Sequence, residues 1–223
     1  MIRFTEVSKS YPGGHDALRR VSFEIDKGEF VFITGHSGAG KSTLLRLIAL
    51  IERQSGGEIV VNGQDLNRIR RAHVPYYRRR IGFIFQDHRL LSDRSVFDNV
   101  ALPLTIAGLT PHETGRRVRA ALDRVGLLSK EKDLPAQLSA GEQQRVGIAR
   151  AVAHKPDILI ADEPTGNLDA ELSRDIMELF DLFNQVGVTV VIATHDLDLL
   201  RSFGHRSITL RAGQVETVQE LVQ

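Results

Sequence analysis

An α/β fold with a mostly parallel sheet, covered on both faces, is predicted by three features of this 223-residue sequence. The first is an apolar, β-prone run, Glu29-Phe-Val-Phe-Ile-Thr34, followed at once by the glycine-rich Gly35-His-Ser-Gly-Ala-Gly-Lys-Ser-Thr43 and by the helix-compatible Leu44-Leu-Arg-Leu-Ile-Ala-Leu50. The second is a return of strand–helix alternation after residue 157, where short continuous apolar strands indicate a buried parallel sheet. The third is a mostly helical stretch over about 88–156 that interrupts this alternation, so it is assigned to a helical subdomain inserted in a single domain spanning 1–223.

Taken in order, residues 2–7 and 18–25 read as strands around the turn Tyr11-Pro-Gly-Gly14, and 58–61 with Asn62-Gly63 as a further hairpin. Tyr11 is either a half-buried tyrosine at a strand end or a ring placed to stack on a base. Residues 67–80 are locally basic, which favours a solvated face over contact with acidic lipid headgroups or a partner. A short buried strand, 81–85, ends on Gln86. Helical patterns follow at 95–107 and 111–128, with Val118, Ala121, Leu122 and Val125 at three- and four-residue steps. Residues 157–161 form a strand, 170–186 a helix, 188–193 a strand and 196–203 a short helix. An edge hairpin over 207–210 and 214–218 turns at Ala212-Gly213.

Composition narrows the setting. Hydrophobic residues at 42% and charged residues at 26% describe an ordinary globular chain, and a net charge of +1 gives no global field for nucleic acid or an anionic membrane. The absence of cysteine excludes disulfides and thiolate metal sites and suits a cytosolic location. No apolar run is long enough to span a bilayer, and the N-terminus lacks the apolar core of a signal peptide.

The chemistry begins at the glycine-rich turn, whose strand–turn–helix setting is that of a P-loop. Gly35, Gly38 and Gly40 let backbone N–H groups approach an anion, and the positive end of the following helix faces the same point. Lys41 adds a mobile charge for the β- and γ-phosphates, and the Ser42 hydroxyl is placed for Mg²⁺. The strand Ile158-Leu-Ile-Ala-Asp162 ends in two carboxylates, of which Asp162 suits support of Mg²⁺. Glu163, pointing elsewhere, is free to polarise a water. Ser139 and Glu142 form the pattern of a helix capping box before Val146-Gly-Ile-Ala-Arg-Ala-Val152.

Together the P-loop, Gln86, Leu138-Ser-Ala-Gly-Glu-Gln143, the Asp162-Glu163 strand, Asn167-Leu-Asp169 and Thr194-His195-Asp196 stand in the order found in ABC-type ATPases. The chain resembles a complete nucleotide-binding domain of that family: a P-loop NTPase of the ABC type with antiparallel β hairpins and a helical subdomain. Ala140 departs from the pattern, standing where the family commonly has a second glycine. The resemblance implies an ATPase with ATP and Mg²⁺ as cofactors. Gly35, His36, Ser37, Gly38, Ala39, Gly40, Lys41, Ser42 and Thr43 would surround the phosphates, and Tyr11 would stack on adenine. Ser42, Gln86 and Asp162 would serve the metal, and Glu163, His195 and Gln86 catalysis. It further implies a head-to-tail homodimer, in which Ser139, Ala140, Gly141 and Glu142 of one copy reach the γ-phosphate held by the other and Asp169 communicates across the pair.

Two stretches narrow the family. Pro164-Thr-Gly-Asn-Leu-Asp169 resembles the branch whose membrane partners transmit force across the envelope, which includes lipoprotein-release and macrolide-efflux ATPases. The segment over 85–104 resembles its bacterial cell-division members. That likeness implies an integral membrane partner docking beside Gln86 and a peripheral place on the cytoplasmic face of the inner membrane at the division site. It also implies indirect action on periplasmic hydrolase activators and division-ring proteins. The alternatives are a lipoprotein-release or efflux transporter and a soluble ABC ATPase acting on nucleic acid or ribosomes. The latter usually carries a long coiled-coil insertion or two fused ATPase domains, and the sequence has neither, so no nucleic-acid partner is expected.

Overall fold

The computed structural model describes residues 1–166 and 168–219, so Asn167 of the motif above lies outside the described residues. β1 (Ile2–Tyr11) and β2 (His15–Ile25) form an antiparallel hairpin longer than the alternation suggests, because register shifts after Phe4 and Val7 carry the ladder past the point where the apolar period breaks. β3 (Phe30–Thr34) leads through the glycine-rich turn into α1 (Lys41–Ile48). β4 (Gly56–Val61) pairs with β1, and the turn at Asn62-Gly63 leads into β5 (Gln64–Asp65), as expected.

The basic segment is more structured than its composition suggests. After two single-turn 3₁₀ stretches it forms α2 (Val74–Arg78), with Pro75 in the first turn, where its missing N–H costs nothing. β6 (Ile81–Ile84) is followed by α3 (Val96–Ile106), α4 (Pro111–Arg124) and α5 (Ala140–Val152). The helix expected over 111–128 stops at Arg124 because Gly126 adopts a left-handed φ of 71° just beyond it, a standard helix stop. β7 (Ile158–Asp162), α6 (Ala170–Gln185), β8 (Thr189–Ala193), α7 (Leu197–Phe203), β9 (Arg206–Arg211) and β10 (Gln214–Gln219) complete the order.

The strands make two sheets. One is antiparallel in the order β2-β1-β4-β5, and the other runs β10-β9-β3-β8-β7-β6, parallel except for the β9–β10 hairpin. Strand period two sorts the core between the faces of the larger sheet. Val31, Ile33, Ile158, Ile160, Val191 and Ala193 share one buried cluster with α1 and the antiparallel sheet. Phe30, Phe32, Leu159, Ala161, Val190 and Ile192 share the other with Val96, Val100, Leu122 and Val146 of α3, α4 and α5 and with Phe180 of α6. At Gly82 of β6 an added Cβ would run into the Ala151 carbonyl, so α5 lies directly against that strand. This arrangement brings the C-terminal ends of β3, β6, β7 and β8 to one edge, the side on which open α/β sheets bind ligands.

Candidate functional site

The turn after β3 lies so close to its surroundings that only glycine fits at two points. Gly35 (φ +136°) has no room for a Cβ beside the Leu210 carbonyl, and at Gly40 (φ +107°) a Cβ would come within 2.5 Å of the Ala17 oxygen. Gly40 also starts α1 without a side-chain cap, and the helix has no acid in its first turn. By contrast α3, α5, α6 and α7 begin on the capping side chains of Ser95, Ser139, Asp169 and Asp196. The uncapped N–H groups and positive end of α1 are therefore left for an anion.

Lys41 is 7% exposed. Its ammonium donates to the carbonyls of Gly35 (2.7 Å) and His36 (3.3 Å) and stands 3.6 Å from the Glu163 carboxylate. Two carbonyl acceptors within the loop and one carboxylate at ion-pair distance hold the charge in place.

The end of β7 divides its two acids. Asp162 is buried and accepts a hydrogen bond from the Ser42 hydroxyl at 2.9 Å; burial pushes its carboxyl above the ordinary 3.8, and the Ser42 bond opposes that. A hydroxyl and a carboxylate side by side are hard oxygen donors that suit Mg²⁺, which takes one or two carboxylates and completes its shell with water and phosphate. Glu163 has a left-handed φ of +51°, a conformation that costs a non-glycine residue about 1 kcal/mol or more. That turn sends its carboxylate away from Asp162 to His195, whose Nδ1–H donates to Oε2 at 2.8 Å. His195 lies two residues beyond the end of β8, so adjacent parallel strands hold the acid and the imidazole together.

A cavity of about 830 Å³ opens over these groups, within the range of small-ligand sites. The whole turn from Gly35 to Thr43 lines it, with Tyr11, Gln86, Glu163 and His195. The Tyr11 hydroxyl lies 3.3 Å from the Thr43 hydroxyl, and the Lys9 ammonium stands 4.9 Å from its ring centroid. Ser139, Ala140, Gly141, Glu142 and Asp169 are not among the described lining residues. Ser139, Ala140 and Asp169 are exposed instead, and the Ser139–Glu142 capping box forms as the sequence predicts. Sequence reasoning missed the wall supplied by the last hairpin, where Thr209, Leu210, Arg211 and Glu216 line the cavity and Arg211 pairs with Glu216 at 2.9 Å. No local motif marks those residues; only the β3–β9 pairing puts them there.

Comparison with known proteins fits this geometry. The ABC transporter family model matches residues 18–166. The chain is 59% identical over 215 residues to the cell division ATP-binding protein FtsE of Escherichia coli K12, covering 96% of this chain and 97% of that protein. It is 51% identical to the protein of the same name from Haemophilus influenzae, with coverage of 96% and 98%. Among solved structures, the dimeric ATP-binding cassette MJ0796 in a post-hydrolysis state bound to ADP and phosphate superposes with a TM-score of 0.92 over the full length of both chains, at 37% identity. A glycine-rich turn on an uncapped helix, an acid pair split between a serine hydroxyl and a histidine, and full-length likeness to such cassettes lead to one assignment: the chain belongs to the ABC transporter family and is an ATP-binding, ATP-hydrolysing subunit of it.

Proposed function

We propose that the chain drives a cell-division membrane complex, closing as an ATP-bound homodimer and signalling through an FtsX-like integral membrane protein to septal peptidoglycan hydrolases. Its 59% identity to FtsE over nearly the whole length carries this reading. Among the described residues no helix is long and apolar enough to cross a membrane, so the membrane step falls to a partner.

In this reading the turn from Gly35 to Thr43 and the start of α1 bind the phosphates of ATP, while Tyr11 stacks on adenine. Lys41 exchanges its bonds to the Gly35 and His36 carbonyls for the β- and γ-phosphates. Ser42, Asp162 and Gln86 would hold Mg²⁺, which when bound neutralises phosphate charge. Glu163 takes a proton from the attacking water as its oxygen bonds to the γ-phosphorus and the bond to the β–γ bridging oxygen breaks. His195 keeps the carboxylate aimed and meets the γ-phosphate. Ser139, Ala140, Gly141 and Glu142 of a second copy close the site from across a head-to-tail interface, with Asp169 beside them. The exposure of Ser139, Ala140 and Asp169 outside the cavity of their own chain supports that arrangement. The helical insertion over about 88–156 acts as a subdomain that moves with ATP and carries the partner beside Gln86. The protein then sits peripherally on the cytoplasmic face of the inner membrane at the division site and reaches hydrolase activators and division-ring proteins indirectly.

The test is affinity capture of Glu163→Gln from its own cells with ATP present. Recovery of an FtsX-type membrane protein is expected. Recovery of a lipoprotein-release or efflux permease instead would reassign the biology and leave the ATPase reading standing.

A further inference from the structure

A second cavity, of about 460 Å³, shares no lining residue with the nucleotide cavity. Helix α4 and the end of α5 supply part of its lining, and the end of α6 with the approach to β8 supplies the rest. It therefore lies where the helical insertion meets the parallel core. Most of the lining is apolar. Val152, Phe183 and Val188 are half-buried, while Leu182 and Val186 are 45% and 73% exposed. These last two, four residues apart at the end of α6, present an apolar face that the core leaves uncovered.

The charge around this recess has one sign. Its lining includes Arg117, Arg124 and Lys155 and no acidic residue. Glu113 accepts from the Arg117 Nε at 2.8 Å and compensates that charge. Arg124 and Lys155 are exposed and have no acidic partner among the described residues. Cations whose stems cover an apolar recess while their heads stay in water complement a ligand with an acidic head and a hydrocarbon chain. The volume suits one such molecule, whereas a bilayer surface meets protruding tips.

We propose that this cavity binds a free long-chain carboxylate, with its chain along Leu182, Phe183 and Val186 and its head at Arg124 and Lys155. When bound, the ligand bridges the helical insertion and the core. The site uses no residue of the nucleotide cavity and needs no membrane partner, so it stands or falls independently of the cell-division reading.

Isothermal titration calorimetry of the full chain with dodecanoate, below its micelle concentration and without nucleotide, tests this. Saturable binding of one molecule per chain is expected, weakening about fourfold for each CH₂ removed on going to decanoate and octanoate. Dodecyltrimethylammonium, which has the same chain and a cationic head, should bind at least about tenfold more weakly. The double variant Arg124→Glu/Lys155→Glu should lose at least about tenfold in dodecanoate affinity, while its ATP turnover without dodecanoate is unchanged. Val186→Asp, which sets a carboxylate at an exposed position of the recess, should also weaken binding and serves if the double variant fails to fold. Absence of saturable binding, equal affinity for the cationic amphiphile, or variants that bind dodecanoate as tightly as the parent would overturn the proposal.

Discussion

Glu163 occupies a backbone conformation that favours glycine, and it is held from both sides, by Lys41 at 3.6 Å and by His195 at 2.8 Å. The strain separates it from Asp162, so two consecutive acids face different chemistry: one buried beside a serine hydroxyl, the other open to the cavity. Replacing the carboxylate by an amide keeps the shape and removes the base, so Glu163→Gln should bind ATP normally and turn it over about 10²- to 10⁴-fold more slowly. Steady-state phosphate release alongside nucleotide titration checks this; unchanged turnover would remove Glu163 from the base role. At this scale the identities of Lys41, Ser42, Asp162 and Glu163 were legible because their motifs are local. The Lys41–Glu163 contact was not, since it joins residues far apart in sequence that only the β3–β8–β7 order brings together.

Helix starts distinguish the functional elements. α1 leaves its N-terminus open, while α5 closes its own with Ser139 and Glu142, and Lys130 clamps Glu142 at 2.6 Å. Ser139→Ala should cost about 1 kcal/mol of stability through loss of the cap. Ser139→Asp should preserve the cap yet set a carboxylate against the partner's γ-phosphate, so stability survives while ATP-driven association fails; urea unfolding and sedimentation separate the two effects. The Lys130 ammonium, with the Ser139 backbone N–H, holds the Glu142 carboxyl below its ordinary 4.5. A lowered folded value contributes stability above 4.5 that is lost as pH falls through the folded value. Glu142→Gln keeps the capping box and loses the charge, so its stability should change less than the parent's as pH falls below 4.5, measured by melting temperature against pH. The helices and parallel strands could be read from the sequence because each carries its own period. α2 could not, because its anchors Leu66, Ile69 and Tyr77 follow no single period and six arginines mask them.

Over the whole molecule, the parallel sheet brings the cavity residues to one edge, while Ser139 and Ala140 at the start of α5 face solvent outside that cavity, where the proposed function has a second copy use them. The separate antiparallel sheet was not legible as such: alternation in residues 2–7 says that one face is buried but not against what. The hairpin wall at Thr209–Glu216 was likewise hidden, although both its strands were visible. Under the proposed closure by a second copy, the P-loop and the start of α5 in one chain need not touch. The most direct test is analytical ultracentrifugation of Glu163→Gln with and without ATP and Mg²⁺. The account predicts a 24.8 kDa monomer without nucleotide and twice that mass with it, reversed by Ser139→Asp. A species that binds ATP fully and stays monomeric would contradict the shared site.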